Sequence, residues 1–142
     1  MNNRTPDATH TMLQPVGWPR PQGFSDGVKA RGDMIFVSGM VGRNPEGEFR
    51  VGLVAQARQA LANIIAVVAE GGGKPEHIVR LTWYVRDMDA YLNAREELGD
   101  AYRAVLGKHF PAMALLEVSR MTETDALVEI EATAVVPEPA AR

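Results

Sequence analysis

Apolar residues recur at steps of three and four over residues 53–70. Val54, Ala57, Leu61, Ile64, Ile65 and Val68 form one stripe, with Gln56, Arg58, Gln59 and Asn63 mostly off it. That period predicts an amphipathic helix. Gly71-Gly72-Gly73 follows and supplies the positive φ that a helix C-cap needs. Elsewhere the period falls to two, as in half-buried strands. Phe24–Arg31 predicts a short strand and Met34–Gly39 a second, rich in β-formers and ended by Ser38-Gly39; a turn at Arg31-Gly32-Asp33 would join them as a hairpin. Over 78–86, Val79, Leu81, Trp83 and Val85 alternate with Arg80, Thr82, Tyr84 and Arg86. Asp87-Met88-Asp89 offers N-cap carboxylates to one further helix, carrying Tyr91, Leu98, Tyr102 and Val105 and stopping at Gly107. Phe110-Pro111 breaks the chain before a strand over 111–118, where Met113, Leu115 and Glu117 share one side. Val128, Ile130, Ala132 and Ala134 alternate with Glu129, Glu131 and Thr133 in the last strand.

The order is β-β-α-β-α-β-β over residues 23–136, a single α+β domain with two helices on one face of a sheet of about five strands. Residues 1–22 are a proline-rich arm without an element of its own, and 137–142 a loose tail. Trp18 in the arm either pins it down or stands at the rim of a pocket or subunit contact. The face bearing Thr82, Tyr84, Glu129, Glu131 and Thr133 is neither apolar nor simply solvated, which predicts burial against another subunit.

Composition narrows the chemistry. The 142 residues are 46% hydrophobic and 23% charged, with net charge −3, so the basic excess of a phosphate-contacting nucleic-acid binder is missing. There is no cysteine, which excludes disulfides, thiolate metal sites and cysteine nucleophiles. No two of His10, His77 and His109 have metal-ligand spacing, so no metal is expected. The three glycines lack the Lys-Ser/Thr pair of a phosphate loop. No apolar run reaches the length of a membrane span and no signal-peptide pattern opens the chain; the expected address is the cytoplasm.

Four stretches carry a resemblance: Phe36-Val37-Ser38-Gly39; Ala55 to Ile64 with its Gln56, Leu61 and Asn63; Tyr84-Val85-Arg86-Asp87-Met88; and Phe110-Pro111-Ala112 through Leu116-Glu117-Val118 with Val128 to Ala132. In order and spacing they resemble the RidA/YjgF family, the reactive-intermediate imine deaminases once called endoribonuclease L-PSP. The resemblance implies a chorismate-mutase-like fold with a mixed sheet, a homotrimer, and ligand clefts between subunits. It implies cofactor-free hydrolysis of small imines or enamines to carbonyl compounds and ammonia. Glu129 falls where the family's water-contacting glutamate stands, although it could instead be a structural acid paired with Arg80 or Arg120. Ser38 and Gly39 fall at the substrate cradle and Tyr84 beside it.

Four positions depart from the pattern. Met113 replaces the arginine that holds the substrate carboxylate, Phe24 a tyrosine, Leu115 a cysteine and Met40 a glutamine. Losing one charge-assisted anchor costs about 1.5–3 kcal/mol. The expected substrate is therefore less anionic than 2-aminoacrylate. Arg95, or Glu96 in a shifted register, falls near the cleft rim, and Arg95 is a candidate replacement anchor. His109 reads as a loop residue, and Glu117 and Glu131 as structural acids. The competing reading is a non-catalytic trimer that binds a small metabolite in the same clefts. A ribonuclease has little support, since neither a basic stripe nor a histidine pair is present.

Overall fold

A computed structural model describes residues 10–138. Its elements are β1 (Thr11–Leu13), β2 (Gly27–Lys29), β3 (Asp33–Val41), α1 (Leu53–Glu70), a 3-10 turn at Pro75–His77, β4 (Ile78–Val85), α2 (Met88–Asn93), α3 (Arg95–Leu106), β5 (Ala112–Glu117) and β6 (Val128–Val136). The main sheet has four strands, not the expected five or so, in the order β3-β6-β4-β5, because β2 pairs with β1 outside it. β6 runs antiparallel to both β3 and β4, while β4 and β5 are parallel, so the sheet is mixed. Helices α1 and α3 pack on each other, and α1 lies on β3 and β6.

The first strand pair differs from the expected hairpin. β2 pairs with β1, not β3, with Thr11 opposite Lys29 and Leu13 opposite Gly27. The arm therefore carries a strand of its own; its residues 1–9 lie outside the described residues, as do 139–142 of the tail. The reason is where the chain is anchored before β2. Ser25 bridges to Ala112 on β5 and its N–H donates to Pro111 O at 3.0 Å, whereas Asp33 pairs with Val136 at the opposite side of the sheet. The segment between them crosses from one sheet edge to the other and cannot fold back as a hairpin. Gly32 makes that passage, because a Cβ there would stand 1.9 Å from Val136 O.

α1 buries Ala57, Leu61, Ile64 and Val68 of the predicted stripe and leaves Val54 and Ile65 half-buried, and it also buries Ala60 and Gln56. That amide, read from the sequence as lying off the stripe, is fully engaged: Nε2 donates to Arg50 O (3.1 Å) and Asp125 O (3.0 Å), and Oε1 accepts from Leu127 N–H (2.8 Å). It ties two loops to the helix. At the C-terminus Gly72 alone of the three glycines has positive φ, and the N–H groups of Gly72 and Gly73 close on Ala69 O and Val68 O. Gly71 and Gly73 serve close packing instead: a Cβ would meet Ile35 and Val68 side chains at 2.6 Å.

Two further expectations are corrected. Ile78 and not Val79 joins Leu81, Trp83 and Val85 in the core, because an irregularity between Ile78 and Arg80 shifts the alternation. The second helix is broken at Ala94 into α2 and α3. Asp87 caps α2 as expected, its Oδ1 accepting from Ala90 N–H at 3.1 Å, and Glu117 accepts from Met88 N–H at 3.0 Å. Glu117 is thus a structural acid.

Candidate functional site

The sheet's two faces divide the expected site residues. Val128, Ile130, Ala132 and Ala134 of β6 are buried toward the helices, which turns Glu129, Glu131 and Thr133 to the bare face. Register places Tyr84 opposite Glu129 and Thr82 opposite Glu131, so both share that face. On β5, Met113 lies opposite Leu81 and Leu115 opposite Trp83, both core residues, so Met113 and Leu115 belong to the helix side.

On the bare face the central feature is Glu129 over Gly39. β3 does not end at Ser38-Gly39: it runs on to Val41, with a bulge between Val37 and Met40. The extra residue brings the glycine's hydrogen-only side against the glutamate, and a Cβ on Gly39 would stand 2.7 Å from Glu129 Cδ and 2.8 Å from Oε2. Among the described residues the Glu129 carboxylate has no hydrogen bond and no ion pair; neither Arg80 nor Arg120 reaches it. Its neighbour Glu131 is engaged, accepting from Tyr84 Oη at 2.7 Å. That bond, chiefly, holds the Tyr84 phenol above its usual range. Ser38 is exposed beside Gly39. Met40 does not join them: it pairs with Ile130 and packs against the core.

On the helix side a cleft of about 440 Å³ opens between β4, β5, α2, α3 and the arm. Phe24, Arg95, Met113 and Leu115 all line it, so four of the nine expected site residues meet here. Trp83, Tyr91, Tyr102 and Phe110 complete its aromatic walls. Tyr102 stacks on Phe110 at 5.5 Å between centroids, and Trp83 meets Tyr91 edge-on at 6.4 Å. Burial drives the Tyr102 phenol far above its ordinary range while its hydroxyl donates to His109 O at 2.6 Å. The Trp83 indole Nε1–H is buried with no acceptor among the described residues. In the sequence Trp83 lies on the apolar face of a strand, Tyr91 and Tyr102 on a helix stripe and Phe110 at a break; the signal for the shared wall is that Trp83 and the stripe of Tyr91, Leu98 and Tyr102 must face each other.

The three histidines also converge, which their spacing hid. His10 and His77 rings lie 6.4 Å apart, and His109 is close enough to influence His77. Facing carbonyls, His10 Nε2–H donates to Val135 O (2.8 Å) and His109 Nε2–H to Ile78 O (2.7 Å), while His77 Nδ1 accepts from Lys74 N–H (2.9 Å). Among the described residues no group of three or more His, Cys, Asp or Glu is arranged to hold a metal ion. No helix among them is long and apolar enough to cross a membrane.

A four-stranded mixed sheet with helices on one face and a bare second face defines a class of single-domain α+β proteins. Within that class the chain belongs to the Endoribonuclease L-PSP family, RidA/YjgF, whose signature matches residues 19–136. The 2-iminobutanoate/2-iminopropanoate deaminase of Escherichia coli K12 is 38% identical over 108 residues, covering 73% of this chain and 80% of that protein. A RutC family protein of Pasteurella multocida is 36% identical over 105 residues, 73% of this chain and 81% of that one. Among solved structures, the Rid-family protein YyfB of Yersinia pestis, of unknown function, superposes with a TM-score of 0.78 at 30% identity, covering 90% of this chain and 99% of that one. The YjgF gene product of Escherichia coli gives 0.64 at 35% identity, covering 87% and 92%.

Proposed function

We propose that the protein hydrolyses an imine, or the enamine that tautomerises to it, in a cleft completed by a neighbouring copy of the chain. The observation that carries this reading is the unengaged Glu129 carboxylate seated over Gly39. An imine carbon is already electrophilic, so the site need only orient it and activate water. Glu129 takes a proton from water as the oxygen bonds to the imine carbon. That proton passes to nitrogen, giving a carbinolamine; Glu129 then takes the hydroxyl proton and returns it to the same nitrogen as the carbon–oxygen double bond forms and the carbon–nitrogen bond breaks, so that a carbonyl compound and ammonia leave. The deaminase activity named for the Escherichia coli relative supports this chemistry.

The need for a second copy follows from the division of the site. Glu129 and the aromatic cleft lie on opposite faces of one sheet, on β6 and on its neighbours β4 and β5. One substrate can touch both only if the bare face of one protomer meets the cleft of the next. That face exposes Met34 (59%), Phe36 (71%) and Leu116 (51%), more apolar surface than a solvated face requires. A closed ring of three such head-to-tail contacts is the proposed assembly.

The test generates imino acids in situ with an amino-acid oxidase and traps the remaining imine with semicarbazide. Native protein is expected to hasten the loss of trappable imine, and Glu129→Gln to lose about 100-fold of that effect, the lower end of general-base contributions. Equal rates for native and Glu129→Gln would refute the assigned role. A native protein silent on small and bulky imines alike would leave the non-catalytic metabolite-binding reading.

A further inference from the structure

We infer that the cleft takes a carboxylate carrying an aromatic side chain, with Arg95 holding the carboxylate. This deepens the proposed function and rests on the same cleft.

Three features of the cleft point there. The first is charge. The chain as a whole is acidic, at net −3, yet among the described residues the cleft lining contains two arginines and no Asp or Glu. Arg103 is bound to Asp100 at 2.6 Å, so its charge is largely answered. Arg95 is exposed at the start of α3 and forms no ion pair among the described residues. One unneutralised guanidinium is therefore available to an anion, in a planar fork suited to a carboxylate. Met113 alone suggested a neutral ligand; Arg95 in the same cleft restores a cation at a different wall.

The second is the walls. Phe24, Trp83, Tyr91, Tyr102 and Phe110 surround the space, with Met113 and Leu115 as its aliphatic floor. Aromatic pairs in offset or edge-on contact gain about 0.5–1.5 kcal/mol beyond area burial. A bare methyl or ethyl group would leave most of these faces in contact with water.

The third is size. The cleft holds about 440 Å³, within the range of roughly 300–1,000 Å³ that receives ring-bearing ligands. A three- or four-carbon imine would fill a small part of it.

Stable 2-oxo acids, the products of such a reaction, separate recognition from catalysis. Isothermal titration of the full chain compares phenylpyruvate, pyruvate and the neutral ketone phenylacetone, against native protein, Arg95→Ala, Arg95→Lys and the exposed-arginine control Arg58→Ala. Phenylpyruvate is expected to bind at least ten-fold more tightly than either pyruvate or phenylacetone. Arg95→Ala should lose ten-fold or more for phenylpyruvate and nothing for phenylacetone. Arg95→Lys should recover part of the loss, and Arg58→Ala should match native. Equal affinity for phenylpyruvate and pyruvate, or for native and Arg95→Ala, would overturn the inference. Imines made from phenylalanine and alanine are then compared in the trapping assay. Tight, Arg95-dependent phenylpyruvate binding without hydrolysis supports this inference while sinking the catalytic reading. Hydrolysis of the alanine-derived imine with no preference for the aromatic one does the reverse.

Discussion

Gly39→Ala separates the position of the Glu129 carboxylate from the stability of the fold. The added Cβ would stand 2.7 Å from Glu129 Cδ, 2.8 Å from Oε2 and 3.0 Å from Cγ, and it meets no closer atom. Carbon atoms in contact sit about 3.5–4.0 Å apart, so the carboxyl must retreat by roughly 1 Å. It is the end of a flexible side chain with no partner among the described residues to hold it, and a changed rotamer costs only about 0.5–1.5 kcal/mol. Replacing glycine where the backbone angles suit alanine returns about 0.4–1 kcal/mol through the unfolded chain. The net effect on stability stays within about 1 kcal/mol, or roughly 3 °C in melting temperature for a chain of this size. A catalytic group misplaced by about 1 Å, by contrast, loses about 100-fold in rate.

Gly42→Ala is the contrasting variant. Its Cβ would lie 2.4 Å from Gln56 Cα and 2.4 Å from Gln56 Cβ. The first is helix backbone, and the side chain beyond it is tied by three hydrogen bonds, so nothing yields. Overpacking of this kind costs about 1–3 kcal/mol or more. Calorimetry at one protein concentration and the imine-trapping assay read the two quantities. Gly39→Ala should melt near native and lose activity, and Gly42→Ala should melt lower. Full activity in Gly39→Ala would refute the claim that the glycine sets the carboxylate. A melting loss equal to that of Gly42→Ala would show that the new methyl meets something immovable.

Phe36→Asp places a charge on the bare face, where Phe36 is 71% exposed in the single chain; light scattering should show native protein at three times the 15.5 kDa chain mass and the variant at less. An unchanged mass in the variant would move the contact elsewhere. Gln56→Leu removes three part-buried hydrogen bonds and takes the partner from two carbonyls and an N–H, a loss of about 3 kcal/mol, read as a lower urea midpoint at unchanged slope. Burial, chiefly, lowers the pKa of both His77 and His109 from 6.5, with His10 adding to the shift in each. The unfolded chain then takes up protons first, so stability is highest above pH 6.5 and falls as pH drops below it toward the folded pKa values. Melting temperature should decline as pH falls below 6.5, and the double variant His77→Asn/His109→Asn should flatten that decline.

Most of the architecture was legible because it rests on local period. The stripe of α1, the stop at Gly107, the cap at Asp87 and the alternation of β6 each follow from the residues at those positions. What was not legible rests on pairing between distant segments. Nothing local at Phe24–Arg31 says that Ser25 is held at β5 and Asp33 at β6, yet that separation is what forbids the hairpin. Gln56 shows the same limit: its amide is buried because residues 50, 125 and 127 come to it.

The candidate site follows this rule more sharply. Alternation puts Met113 and Leu115 on one side of their strand and Glu129 and Glu131 on one side of theirs, but parity within a strand carries no information about parity between strands. The pairings of Leu81 with Met113 and of Tyr84 with Glu129 supply it, and they send the two sets to opposite faces. Residues expected to line one cleft therefore fall into two halves on opposite faces of a single chain. If the activity uses both, neither half can be repaired in isolation. A mixture of Glu129→Gln with Arg95→Ala protomers should, after reassembly, contain some clefts that take Glu129 from one chain and Arg95 from the other, both native. Activity on mixing that exceeds the sum of the two impaired variants would establish the shared cleft. No gain above that sum in proven mixed assemblies would show that each chain works with its own residues, and the division of the site described above would then be no guide to its chemistry.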